Sequence, residues 1–218
     1  MITFLIAAHR SVSLRAGGIT ALVTLILMAA CSSGESREAN PDGTVERRAP
    51  VHVDSIFPIE EEIRRFREGL EEPAGLGSGA GSSIDGLVDA FLRALEAGDT
   101  ERLATLTLDR AEFAWLYYPH TMYVERPYQL GPALVWYQQQ NLSGRGLTRA
   151  LRRYDGETLY DTGVDCQEPA EAFGAGRIRH GCRVVGELPT GEEVVEVLFG
   201  SILELDGRFK FVGYANEL

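Results

Sequence analysis

The 218-residue chain predicts an α+β domain, with N-terminal helices packed on a curved antiparallel sheet. Three observations carry this. Apolar residues recur at helical spacing between Ile84 and Leu95, and from Thr158 onward short runs rich in β-branched residues take over. Turn sequences separate those runs, and Asp206-Gly207 among them is a strong hairpin signal. Helices followed by a meander place the helices on one face of the sheet.

Ahead of the domain, residues 19–30 form an uncharged apolar run, shorter than the roughly 20 residues a membrane-spanning helix needs. Arg10 and Arg15 precede it and no acidic residue occurs in the first thirty, the order of a secretory signal peptide. The residues that close the run, Leu27-Met28-Ala29-Ala30-Cys31, resemble the lipobox of bacterial lipoproteins. The resemblance implies that residues 1–30 are a signal peptide cut before Cys31, whose thiol carries a diacylglycerol. Each buried acyl CH₂ contributes about 0.8 kcal/mol, so two or three chains hold a protein at a bilayer. Ser32, where that family uses Asp for inner-membrane retention, implies the outer membrane of a cell envelope that has one.

Residues 31–54 are polar, contain Pro41 and Gly43, and read as a tether. As a flexible coil, some twenty residues span roughly 25 Å. Residues 55–72 form a short amphipathic helix, because Ile59, Ile63, Phe66 and Leu70 recur at spacings of four, three and four. Pro58 suits its first turn, Glu60, Glu61 and Glu62 its positive end, and Arg64, Arg65 and Arg67 its negative end. Too short to stand alone, it docks either on its own domain or on an envelope partner. Residues 73–83 read as a Gly/Ser-rich linker; with no strand before it, the glycine run lacks the context of a phosphate loop.

The domain proper is expected over 84–218. Its first helix carries Ile84, Leu87, Val88, Phe91, Leu92 and Leu95 on one face, and Gly98 stops it. Asp99 caps a second helix holding Leu103 and Leu106, and Asp109 with Glu112 spells a capping box for a third that Pro119 ends. Helical stretches follow at 133–141 and 147–154, with Gly144 and Gly146 between them. Strands are expected at 159–166, 177–188, 193–204 and 208–215, with Pro189-Thr190-Gly191 turning the middle pair.

The net charge is −11, and loss of Arg10 and Arg15 with the leader deepens it. So acidic a chain repels phosphate backbones and anionic lipid, which excludes nucleic acid as a partner. With Cys31 lipidated, Cys166 and Cys182 remain, an even pair in a disulfide-permissive compartment. A metal site using the nearby His180 is the alternative, but the pair lacks the close Cys-x-x-Cys spacing of zinc sites. No cofactor or metal is expected.

Ala97-Gly98-Asp99 closing a long helix, Leu103 and Leu106 on a short one, and a final hairpin ending Phe209-Lys210-Phe211-Val212-Gly213-Tyr214 look like the NTF2-like, or cystatin-like cone, superfamily. That resemblance implies a bent sheet around the long helix and a cone-shaped cavity. Members of the superfamily include isomerases, cyclases and dehydratases as well as binding domains without catalysis, so the fold leaves function open. Residues 113–137 hold both tryptophans and a concentration of tyrosines in a chain that is 9% aromatic. They are either core or the lining of an apolar pocket, with Trp115 assigned to the core and Tyr118, Tyr123, Trp136 and Tyr137 to ligand contact. Acid–base candidates are His120, Glu125, Tyr118, Asp161, Asp165 and His180, and no hydrolase elbow or metalloprotease pair appears. The reading is a membrane-anchored envelope lipoprotein whose cone binds a small apolar ligand or a protein partner without catalysis. The alternative is an isomerase- or cyclase-type enzyme using the cone as its active site.

Overall fold

The structure, a computed structural model, describes residues 57–154 and 156–216, with the side chains of Tyr160 and Asp161 excepted. The leader, Cys31 and the tether lie outside the described residues. Within them the chain is α+β, with five α-helices and two antiparallel sheets.

Helix α1 (Ile59–Arg67) docks on its own domain. Ile59 and Phe66 are buried and Ile63 and Leu70 packed beside them, against Phe113, Ala114, Tyr118 and Val135. Phe66 meets the Phe113 ring edge-on at 5.7 Å, and the Arg67 guanidinium clamps the Ala114 carbonyl at 2.9 and 3.1 Å. Helix α2 (Ile84–Glu96) starts where Ser83 Oγ accepts from the Gly86 amide, and buries Leu87, Val88, Phe91, Ala94 and Leu95. Phe91 is fully buried among Phe199, Phe211 and Tyr214, with ring centroids 5.3–5.6 Å apart. Helix α3 (Thr100–Thr105) is capped by Asp99, and α4 (Arg110–Glu112) by the full Asp109–Glu112 capping box. A π-turn over Phe113–Tyr117 continues α4 before Pro119.

The two stretches expected at 133–141 and 147–154 are one helix, α5 (Pro132–Tyr154). Gly144 and Gly146 do not break it. Gly146 is buried against the Tyr214 carbonyl, so its missing side chain is what lets α5 lie on the chain's last segment.

The glycine-rich segment expected as a flexible linker is instead a fastened strap. Leu76 is buried, Gly77 N donates to Glu112 Oε1 at 2.6 Å, and Gly81 exchanges both backbone hydrogen bonds with Phe209 at 2.9 and 3.0 Å. At Gly79 (φ +90°) a Cβ would stand 2.1 Å from the Thr105 carbonyl oxygen. Glycine here permits close contact, and the expected domain start at 84 moves upstream to include the strap and α1.

One sheet has the order β1-β4-β5 and the other β2-β3-β6-β7, where β1 is Tyr160–Asp165, β2 Glu171–Phe173, β3 Gly176–Arg179, β4 Arg183–Glu187, β5 Glu193–Glu196, β6 Ile202–Leu205 and β7 Arg208–Phe211. The expected strand 177–188 is thus two strands bent at His180–Cys182, and 193–204 is two bent between Glu196 and Ile202. Because β3 pairs β6 and β4 pairs β5, the bends lie opposite each other and fold one long hairpin across both sheets. Asp206 (φ +49°) and Gly207 (φ +70°) form the tight turn that their sequence specified.

Cys166 and Cys182 form a disulfide. It joins the end of β1 to the start of β4, beside the Asp165–Arg183 pair. Closing a loop of 16 residues stabilises by about 3 kcal/mol in the chain-entropy model. Reduction under native conditions, or Cys166→Ser with Cys182→Ser, is therefore expected to lower the unfolding free energy by about that amount in denaturant titration. A change below about 1 kcal/mol would mean that the bend at Cys182 holds β1 without the bridge.

Candidate functional site

The bend before Ile202 borders a niche between α5 and the segment after β7. Its volume is about 250 Å³, and Tyr117, Tyr123, Val135, Leu142 and Val212 supply its apolar walls. Gln138, Gln139, Ser201 and the backbone of Gly200 and Gly213 complete it. Four of these residues, Val135, Gln138, Gln139 and Leu142, recur at i, i+3, i+4 and i+7 and so form one side of α5. The wall is fixed from behind: Gln139 Nε2 donates to the Val212 carbonyl at 2.7 Å and the Tyr214 amide to Ser143 Oγ at 3.0 Å. Across the niche, Gly200 N donates to the Gly213 carbonyl at 2.9 Å and Val212 N to the Ser201 carbonyl at 2.8 Å.

The π-turn selects which tyrosine faces this space. Its extra residue rotates Tyr117 onto Phe173, with ring centroids 5.2 Å apart and planes at 28°. Burial, with the neighbouring Tyr123 as a lesser cause, pushes the Tyr117 phenol up to about 12, so it is a neutral hydrogen-bonding group throughout the physiological range. Tyr118, one residue on, turns the other way. It is fully buried in the α1 cluster and its hydroxyl donates to the Leu130 carbonyl at 2.5 Å, which makes it core where ligand contact was expected.

The remaining expected pocket residues divide. Tyr123 lines the niche. Trp136 is half-buried against Phe113 at 5.0 Å and belongs to the α1 cluster with Trp115, and Tyr137 is 66% exposed on the outer face of α5. Neither Trp136 nor Tyr137 contributes to the niche. Tyr117 and Ser201 do, and neither is among the ligand contacts expected from the sequence.

Ser201 also brings the one polar constellation at this corner. Its hydroxyl is joined to His180 Nδ1 by a 2.7 Å hydrogen bond, and Glu171 Oε2 stands 3.7 Å from His180 Nε2. A serine beside an imidazole can be activated as a nucleophile when a third group orients the ring. Here the Glu171 contact exceeds hydrogen-bonding distance, and the His180 and Glu171 side chains are 42% and 72% exposed, so water competes at both links. The pair holds the Ser201 hydroxyl at the niche rim. On the other side of Gly200 and Ser201 opens a larger, shallower cleft of about 800 Å³, whose walls include the polar side chains Gln167, Arg183, Glu196 and Asn216.

The other acid–base candidates lie apart. His120 is exposed against Phe173, Glu125 and Asp165 are exposed, and the Asp161 side chain is outside the described residues. Among the described residues the buried carboxylate is Glu112, held by Lys210 Nζ at 2.9 Å. No group of three or more His, Cys, Asp or Glu residues placed to hold a metal ion occurs among the described residues. No family model, curated protein or solved structure matches the chain.

Proposed function

We propose that this chain is a lipid-anchored envelope module of the NTF2-like cone type, and that it binds a small, mainly apolar molecule without catalysis. The observation that carries the binding reading is the niche itself. Aromatic and aliphatic walls, with the Ser201 hydroxyl at the rim, suit a mainly apolar body that carries a few hydrogen-bonding groups. What supports the cone assignment is that the buried face of α2 shares one apolar cluster with strands of both sheets. The lipobox at Cys31 supports the anchor.

An isomerase or cyclase would need an acid or base aimed into the space. Glu125 and Asp165 are exposed, and Glu112 already accepts three hydrogen bonds elsewhere. The niche lining therefore favours binding over catalysis.

Native mass spectrometry of protein purified from its own envelope, before and after organic extraction, is the direct test. A small-molecule adduct should be present and should disappear on extraction. Tyr123→Ala should weaken rebinding about ten-fold, the effect of losing roughly 1–2 kcal/mol of apolar contact, while the melting temperature stays near wild type. An empty protein, or an adduct indifferent to Tyr123, would overturn the reading.

A further inference from the structure

We propose that the outer face of α5 is the surface by which the domain lies on an anionic phospholipid layer. In this arrangement Arg145, Arg149 and Arg152 meet lipid phosphates, and Leu134, Tyr137 and Leu142 enter the boundary between headgroups and acyl chains. The proposal rests on the anchored reading above.

Its first ground is charge. The whole chain has 32 acidic residues, yet the 23 residues of α5 contain none and carry four arginines. Arg145, Arg149 and Arg152 are spaced four and three apart, so they share one side of the helix. The opposite side is buried through Val135, Gly146, Ala150 and Tyr154. Arg145 and Arg152 are exposed, and among the described residues neither takes part in an ion pair. Arg149 is held in place by Asn216, whose side-chain and backbone oxygens accept from its guanidinium at 3.1 and 2.9 Å. Between the arginines lies a groove of about 450 Å³ that includes Gly144, where a Cβ would meet no atom within 4 Å. It is open to a phosphate-sized group from outside.

The second ground is apolar exposure. The N-terminal half of the same helix presents Leu134 at 47%, Tyr137 at 66% and Leu142 at 52% exposure. Apolar and aromatic side chains beside a row of arginines make the composition of an interfacial helix, and tyrosine is at home at headgroup depth. Leu142 also lines the niche, so a ligand dissolved in the bilayer would meet the niche at the contact surface.

The third ground is where the described chain begins. Phe57, Pro58 and Ile59 line one cleft with Ala133 and Leu134. The segment leading from Cys31 thus joins the domain beside the apolar end of α5. In the anchored reading a flexible tether entering at this point lets the face reach the bilayer. The negative charge carried elsewhere on the chain opposes such contact only weakly, because salt screens charges farther away than roughly 8 Å at physiological ionic strength. Within that distance the lipid meets the arginines.

The test uses the full acylated chain, reconstituted into phosphatidylcholine vesicles with or without phosphatidylglycerol. An environment-sensitive fluorophore is attached through Leu142→Cys. The expected result is a blue-shifted emission in the phosphatidylglycerol vesicles, absent in phosphatidylcholine alone and lost at high salt or in Arg145→Gln/Arg152→Gln. That variant leaves the Arg149–Asn216 contact intact, and an unchanged thermal melt separates loss of the shift from unfolding. Emission that is the same in both vesicles would overturn the proposal while leaving the anchor standing, since the chain still floats with them. Failure of the anchor is read separately, as wild type and Cys31→Ala floating equally poorly with phosphatidylcholine vesicles. A label shielded in native envelope fragments but not in protein-free anionic vesicles would replace lipid with an acidic protein partner, and would also overturn the proposal.

Discussion

Replacing Lys210 with methionine is expected to cost the fold about 3–5 kcal/mol, the range seen when one partner of a buried ion pair is removed. Lys210 is the chain's single lysine, and its side chain is 3% exposed against 1% for Glu112. The Glu112 carboxylate is satisfied on every side: Oε1 accepts from Gly77 N at 2.6 Å, and Oε2 from Asp109 N at 2.8 Å and Lys210 Nζ at 2.9 Å. One carboxylate therefore ties β7, the strap and the start of α4 together. Without the ammonium, a charge remains in a place that water reaches poorly, and two backbone amides alone do not offset its desolvation. Glu112→Leu should cost at least as much, because it orphans three donors at once. Denaturant unfolding of both variants gives the free energies, and hydrogen exchange at the Gly77 amide reports the strap directly. A loss under about 1 kcal/mol for Lys210→Met would mean that water enters the site and solvates Glu112.

This pair also shows how far the sequence could be read. Asp109 and Glu112 were legible as a capping box because the motif is local, three residues apart. That the same Glu112 oxygen also accepts from Lys210, nearly a hundred residues on, depends on where β7 falls and has no local signature. Helix α2 and the stripe Ile59, Ile63, Phe66 and Leu70 were legible for the same local reason, as was the Asp206-Gly207 turn, whereas the Cys166–Cys182 bridge was legible from the even cysteine count of a chain read as exported. The bends at His180–Cys182 and before Ile202 were not. Residues 177–188 read as one continuous strand, and only Gly181 at φ +58°, pressed against the Gln167 side chain, marks the break.

The candidate site was half legible. The aromatic concentration pointed to the right segment, but Tyr117 and Tyr118 are chemically identical neighbours, and the single extra residue of the π-turn decides which one lines the niche. Composition cannot carry that phase. Ser201 and Glu171 gave no signal at all, because each meets His180 only through the pairing of β3 with its neighbours. The glycines of the strap misled for a different reason: glycine is read as freedom, whereas Gly79 and Gly81 are positions where two stretches of backbone leave no room for a side chain.

Gly146 is the extreme case, and its substitution is the second large expected effect. In the interior of an exposed helix, replacing glycine with alanine stabilises by up to about 1 kcal/mol through backbone entropy and propensity. At Gly146 the sign should reverse, because a Cβ there would stand 1.6 Å from the Tyr214 carbonyl oxygen and 2.6 Å from its carbon. Neither is the end of a flexible side chain. The main chain after β7 is held on this helix by the Tyr214 amide to Ser143 Oγ and by Asn216 Nδ2 to the Gly146 carbonyl at 2.8 Å, while the Tyr214 hydroxyl donates to the Leu103 carbonyl at 2.7 Å. Moving α5 away from Tyr214 would strain the first two bonds, and moving Tyr214 instead would strain the third and loosen its stacking on Phe91. Overpacking commonly costs about 1–3 kcal/mol, so Gly146→Ala belongs at the upper end near 3 kcal/mol, and Gly146→Val beyond it at roughly 4 kcal/mol or more. Since small domains are stable by only about 5–15 kcal/mol, the valine variant should approach global unfolding. Gly144→Ala, two residues away with nothing within 4 Å of its Cβ, is the internal control and should be neutral or slightly stabilising. Thermal melts of the three variants decide the matter. Equal behaviour at 144 and 146 would show that α5 does not rest on Tyr214, and would remove the back wall on which the niche depends.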